Sequence, residues 1–111
     1  MFSAEQYANE LDYLVRYAHD DWVGFSVISG TVGGLLGRGA TMDRQQELAL
    51  RIVGDLLSAG ARAGDLTASD ETPFAAWEGN PAEVLARIAA EVRAMPGLPD
   101  SGDICWFTVI D

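Results

Sequence analysis

Lysine is absent from this chain, and cysteine and histidine occur once each, as Cys105 and His19. Each shortage removes a class of function. Without lysine there is no GxxxxGK[ST] phosphate loop, and no GxGxxG takes its place. One cysteine permits neither an internal disulfide nor a CxxC pair. One histidine rules out an HExxH zinc helix, and no GxSxG turn presents a serine nucleophile. No apolar run reaches the ~18 residues of a membrane-crossing helix. The opening stretch, MFSAEQYANE, lacks the basic and apolar regions of a secretory leader. The expectation is a cytoplasmic protein with no membrane partner.

Basic charge is also scarce. Seven arginines face seventeen carboxylates, for a formal net charge of −10 over 111 residues. Duplex DNA and RNA are polyanions, and proteins bind them through a basic face. Here the arginines are dispersed from Arg16 to Arg93, which argues against a nucleic-acid partner. An acidic surface instead attracts basic partners. Arginine without lysine, with abundant alanine and glycine, suggests a GC-rich bacterial genome.

What the chain does have is apolar residues, 49% of the total. A single domain over residues 1–111 buries roughly two-thirds of its unfolded surface at this length. Ser3 and Gln6 form a capping-box pair, flanked by Phe2 and Tyr7 at the staple positions. Tyr7, Leu11, Leu14, Ala18 and Trp22 then mark one helical stripe. Phe25, Ile28, Val32, Leu35 and Leu36 keep helical spacing despite Gly30, Gly33 and Gly34, each of which weakens a helix by up to ~1 kcal/mol. A third helix is capped by Thr41 or Asp43, buries Leu48, Ile52, Val53, Leu56 and Leu57, and closes at Gly60. Residues 61–67 suggest a short strand with a bulge or turn at Gly64-Asp65, and residues 69–79 an acidic loop. Asn80-Pro81-Ala82-Glu83 opens a fourth helix, with Val84, Leu85, Ile88, Val92 and Met95 facing inward. ICWFTVI at 104–110 is β-branched and aromatic, as a buried strand should be, so Cys105 is expected to be an inert core thiol. The expected fold is α+β, mostly α: about four helices and a small two-stranded sheet.

Two places invite a functional reading. The first is His19-Asp20-Asp21, at the end of the first helix. A histidine there complements the helix dipole, and Asp20 or Asp21 can cap the next helix. Successive helical residues point about 100° apart, so the three do not converge as metal ligands unless the helix has ended. The expected role is structural, with a partner-facing one second. The other place is the loop with Asp70, Glu71, Trp77 and Glu78. An aromatic in a loop either lids the core or anchors a partner, because a rigid ring supplies contact area at low entropic cost. No catalytic, cofactor-binding or metal-binding set is expected.

Several stretches carry a family resemblance: Asp21-Trp22 with Phe25, Leu56-Leu57-Ser58-Ala59-Gly60, Ala63-Gly64-Asp65-Leu66, Phe74 and Trp77, the helix start from Pro81 to Ile88, and Gly102-Asp103-Ile104-Cys105-Trp106-Phe107. Together they resemble small acidic, largely uncharacterised proteins of actinobacterial and other bacterial genomes. In outline the chain is also similar to immunity proteins of contact-dependent and polymorphic toxin systems, which bind and block one cognate toxin. That resemblance implies a non-enzymatic inhibitor with no cofactor and a basic partner protein, best matched by a nuclease toxin with a basic cleft. Asp70, Glu71, Trp77 and Glu78 would be the first-choice contact set, and Asp20 and Asp21 the second. The alternatives are a winged-helix-like transcriptional regulator, suggested by three helices followed by a strand, and a small enzyme or metal protein using His19, Asp20 and Asp21.

Overall fold

A computed structural model of the chain describes residues 2–110. Helices α1 (Ala4–Asp20), α2 (Phe25–Leu36) and α3 (Met42–Ser58) are followed by strands β1 (Ala61–Leu66) and β2 (Phe74–Ala76), helix α4 (Pro81–Arg93) and strand β3 (Trp106–Val109). The fold is α+β and mostly helical. Its sheet has three strands rather than the expected two, in the order β2-β1-β3, with both pairings antiparallel.

The helix ends follow local chemistry. At α1 the Ser3 hydroxyl accepts from the Gln6 backbone N–H at 3.1 Å, and the Gln6 side-chain Oε1 accepts from the Ser3 N–H at 2.7 Å. The Phe2 and Tyr7 rings stack alongside, 6.1 Å apart. Asn80 and Glu83 repeat the reciprocal arrangement at α4, at 2.9 and 3.0 Å. Thr41 caps α3, and Gly60 takes the positive φ of 104° that ends it. Such caps contribute about 1 kcal/mol each.

The aspartates do not cap α2. Asp21 ends α1, and its Oδ1 accepts from the neighbouring Trp22 N–H at 2.7 Å. The N-cap of α2 is Gly24, which has no side chain to offer. The missing acceptor comes from the loop before β3, where the Ser101 hydroxyl accepts from the Ser26 N–H at 3.1 Å. Gly24 has room for nothing larger, since a Cβ there would collide with the Ser101 side chain and come within 2.8 Å of the Trp106 ring. Ser29 then donates to the Pro99 carbonyl at 2.8 Å, which ties the same loop to α2.

The core lies between the helices and one face of the sheet. Leu14, Val23, Phe25, Ile28, Val32, Ile52, Leu56, Ile88, Val92 and Phe107 are among its buried residues. Phe25 and Phe107 meet edge to face at 5.5 Å, so α2 seats directly on β3. Trp22, the last residue of the predicted α1 stripe, is outside the helix and exposed, because α1 stops at Asp20. Gln46 is buried among the apolar side chains and donates to the carbonyls of Val92, Met95 and Gly97 at 3.1–3.2 Å. Val92 is in the last turn of α4, and Met95 and Gly97 are in the turn that follows it, so a side chain of α3 ties down the end of α4.

The expected acidic loop is a hairpin. Residues 74–76 form β2, and Gly64 and Asp65 continue β1 without a bulge or turn, pairing with Ala76 and Ala75. Phe-Ala-Ala carries little intrinsic strand signal, so this strand exists through its pairing with β1. Gly64 makes that pairing possible, because a Cβ there would collide with the Ala75 carbonyl and stand 2.7 Å from the Phe74 ring. β3 is shorter than the expected 104–110 strand, since Ile104 and Cys105 precede the paired residues. Its far side is bridged by Val23, with the Val23 N–H donating to the Phe107 carbonyl at 2.7 Å and the reverse bond at 2.9 Å.

Candidate functional site

The hairpin decides where the acidic residues go. The Trp77 N–H donates to the Ala63 carbonyl, and the Thr67 N–H to the Pro73 carbonyl, each at 2.8 Å. Trp77 is therefore at the base of the hairpin, while Asp70 and Glu71 are in the turn at its tip. The four-residue step from Ala63 to Thr67 separates the two ends by about 13 Å. Hydrogen bonds inside the turn, from the Glu71 and Thr72 N–H groups to the Ser69 hydroxyl at 3.2 Å, fix the tip.

At the base, Ala63 pairs with Phe107, and Phe107 with Val23. Trp77, Ala63, Phe107 and Val23 thus form one rung across the molecule, about 14 Å from end to end at the usual interstrand spacing. Glu78 follows Trp77, and Asp20 and Asp21 shortly precede Val23, so all three carboxylates lie towards the same end of the sheet. Glu78 and the second-choice pair Asp20 and Asp21 thus share one end of the sheet but at its opposite edges, while Asp70 and Glu71 are at the other end of the hairpin from Trp77. All five carboxylates belong to exposed residues. None takes part in the three ion pairs found among the described residues, Arg16–Asp12, Arg87–Glu91 and Arg93–Asp43.

Trp77 is 7% exposed, so its ring covers the core instead of projecting outward. Its Nε1–H donates to the Asp65 carboxylate at 2.9 Å, and the Arg87 guanidinium lies 3.4 Å over the ring centre. Arg87 also reaches Glu91, one helical turn on, at 3.6 Å. Beside this stack opens a cleft of about 410 Å³, lined by Leu57, Ala61, Arg62, Trp77, Pro81 and Val84, with glycine backbone at Gly60 and Gly79. Arg62 is its only charged wall residue. Glu78 lies in sequence between the lining residues Trp77 and Gly79 and is exposed.

Two buried groups, Cys105 and Tyr7, are held in their protonated forms. Cys105 is 2% exposed. Burial above all, then the carboxylates of Glu91 and Asp65, push its thiol from 9.0 up to about 12, against a smaller opposing pull from Arg87. At neutral pH it is a protonated core side chain, and a thiol attacks only as thiolate. Tyr7 donates to the Asp55 carboxylate at 2.6 Å with Arg51 stacked 4.0 Å from its ring centre. Burial and that carboxylate raise its phenol, so it serves as a hydrogen-bond donor tying α1 to α3. His19 is exposed at the end of α1. Among the described residues, no three His, Cys, Asp or Glu side chains come together in a way that could hold a metal.

Of the two residues that fix Trp77, the sequence suggests Asp65 only as a bulge or turn position and gives Arg87 no role of its own. Arg87 and Glu91 are legible as a helical i,i+4 pair. Nothing local shows that the arginine lies on a tryptophan ten residues earlier. No family model, no curated protein and no solved structure matches this chain.

Proposed function

We propose that this protein is a non-enzymatic, cytoplasmic binding module that neutralises a basic partner protein, in the manner of an immunity protein blocking a toxin. The observation that carries the reading is a set of exposed carboxylates with no ion-pair partner among the described residues, Asp20, Asp21 and Glu78, at one end of the sheet, with Glu78 next in sequence to Trp77, which lines an apolar cleft. An apolar centre edged by charge is the usual make-up of a protein-binding surface. A net charge of −10 adds long-range attraction for a basic target. A nuclease is the preferred target, because its own nucleic-acid cleft must be basic. Asp70 and Glu71 then act at a distance, steering approach, while the sheet end makes contact. No helix among the described residues is long and apolar enough to cross a membrane.

The test begins with capture of the partner from a bacterial host and continues with purified proteins. Asp20→Lys, Asp21→Lys and Glu78→Lys together should slow association by about tenfold or more at low ionic strength and flatten its salt dependence. The pair Asp70→Lys and Glu71→Lys should have a smaller effect on rate and little on dissociation. Circular dichroism should show both variants folded. An acidic partner, equal binding by both folded variants and wild type, or tight binding of duplex DNA by the wild type would each overturn the proposal.

A further inference from the structure

The seven arginines are not equivalent. Arg16, Arg87 and Arg93 have carboxylate partners. Arg51 lies on the Tyr7 ring, and Arg62 points Nη2 at the Trp77 carbonyl at 3.5 Å. Arg38 and Arg44 remain, and among the described residues neither guanidinium has a hydrogen bond, an ion pair or an aromatic face. In a chain with seventeen carboxylates, two unpaired arginines would be unremarked if they stood apart. They line the same cleft, a hollow of about 250 Å³ walled by Leu36, Arg38, Gly39, Ala40 and Arg44 where the α2–α3 loop meets α3.

Neither acid near Arg44 in sequence forms an ion pair with it. Asp43, next to Arg44 in sequence, is held by Arg93 at 3.0 Å. Glu47 lies one turn along α3, in a separate small hollow with Arg44 and Arg51. Local backbone geometry and side-chain bonds define the loop. Gly37 and Gly39 take φ of 70° and 89°, and the Gln45 side chain donates to the Ala40 carbonyl at 2.9 Å. Thr41 caps α3 from the same loop, with its hydroxyl accepting from the Arg44 N–H at 3.2 Å. Two guanidinium groups on one small hollow match a compact oxyanion, because planar N–H donors pair best with phosphate or carboxylate oxygens.

We infer that the Arg38–Arg44 cleft is a binding site for a phosphate group, independent of the acidic surface and opposite to it in sign. The two guanidinium groups supply the charge, and the small residues Gly39 and Ala40 leave room for the phosphate and a short substituent.

Inorganic phosphate is the probe, titrated into ¹⁵N-labelled full-length protein at constant ionic strength with chloride as the balancing ion. Saturable amide shifts confined to residues 36–45 are expected. Arg38→Ala and Arg44→Ala should each weaken binding about tenfold, as loss of a charge-assisted pair does. Arg16→Ala, at an exposed position with its own partner, should leave binding unchanged. Phenyl phosphate should produce the same shifts as inorganic phosphate, and benzoate should bind more weakly. Shifts that never saturate, that spread over all the arginines, or that survive in the Arg38→Ala/Arg44→Ala double variant would overturn the inference. Benzoate binding as tightly as phenyl phosphate would overturn its assignment to phosphate.

Discussion

Replacing Trp77 by phenylalanine tests whether this ring is a structural tie or a surface anchor. The substitution keeps an aromatic face for Arg87 but deletes the indole N–H that donates to Asp65 at 2.9 Å. A hydrogen bond to a charged acceptor contributes about 1.5–3 kcal/mol, and the lower end applies here because Asp65 belongs to an exposed residue and is re-solvated. The smaller ring also leaves a void at a site that is 7% exposed, adding about 1 kcal/mol. The sum is about 2–3 kcal/mol, or a fall in Tm of about 8–12 °C for a domain of this length. Urea unfolding followed by far-UV circular dichroism gives the free energies for wild type, Trp77→Phe, Asp65→Ala and the double variant. The cycle should return a coupling of about 1 kcal/mol. A coupling below about 0.3 kcal/mol, the usual scatter of independent sites, would refute the tie. So would a Trp77→Phe protein as stable as wild type.

Three further perturbations follow from the geometry. Cys105 should react slowly with thiol reagents in the native protein and rapidly in denaturant. Its thiol is raised in the fold, so the stability it contributes is complete below pH 9 and declines towards pH 12 at up to about 1.4 kcal/mol per pH unit, and Cys105→Ala should flatten the start of that decline in pH-dependent unfolding. Ser101→Ala removes the hydroxyl that caps α2 from the far end of the sequence and should cost about 1 kcal/mol, with faster amide exchange at Ser26 as its local signature. Gly64→Ala should destabilise by more than about 2 kcal/mol, as strain in a packed interior does; retention of wild-type Tm would mean that β1 and β2 can move apart.

Much of the helical frame was legible because its signals are local. The capping boxes at Ser3 and Asn80, the apolar faces of α3 and α4, and the glycine after α3 all lie within a few residues of what they determine. The misreadings share the opposite property. β2 has three residues and depends on a partner strand, and Gly64 reads as a turn former until the Phe74 ring is known to press on it. The capping of α2 was assigned to the nearest aspartates because local capping is the ordinary case, whereas the acceptor is 75 residues away. Reading the acidic stretch as one loop treated neighbours in sequence as neighbours in space. Once the loop is a hairpin, Asp70 and Glu71 part company with Trp77 and Glu78.

The loop and strand that follow α4 have a consequence for how the chain comes to fold. Ser101 completes α2, Phe107 bridges Val23, and the Thr108 hydroxyl donates to the Ala18 carbonyl at 3.0 Å, 90 positions earlier. Closing a loop of that length carries an entropic cost of about 4 kcal/mol, beyond a constant, before any contact offsets it. Helices α1 and α2 leave the ribosome first, yet the junction between them acquires its fixed shape only when residues 99–109 arrive. Until then Val23 and Phe25 have no sheet to cover them. Synthesis and consolidation therefore run in opposite directions along this chain: its earliest helices form local structure at once, and its last strand turns that structure into a fold.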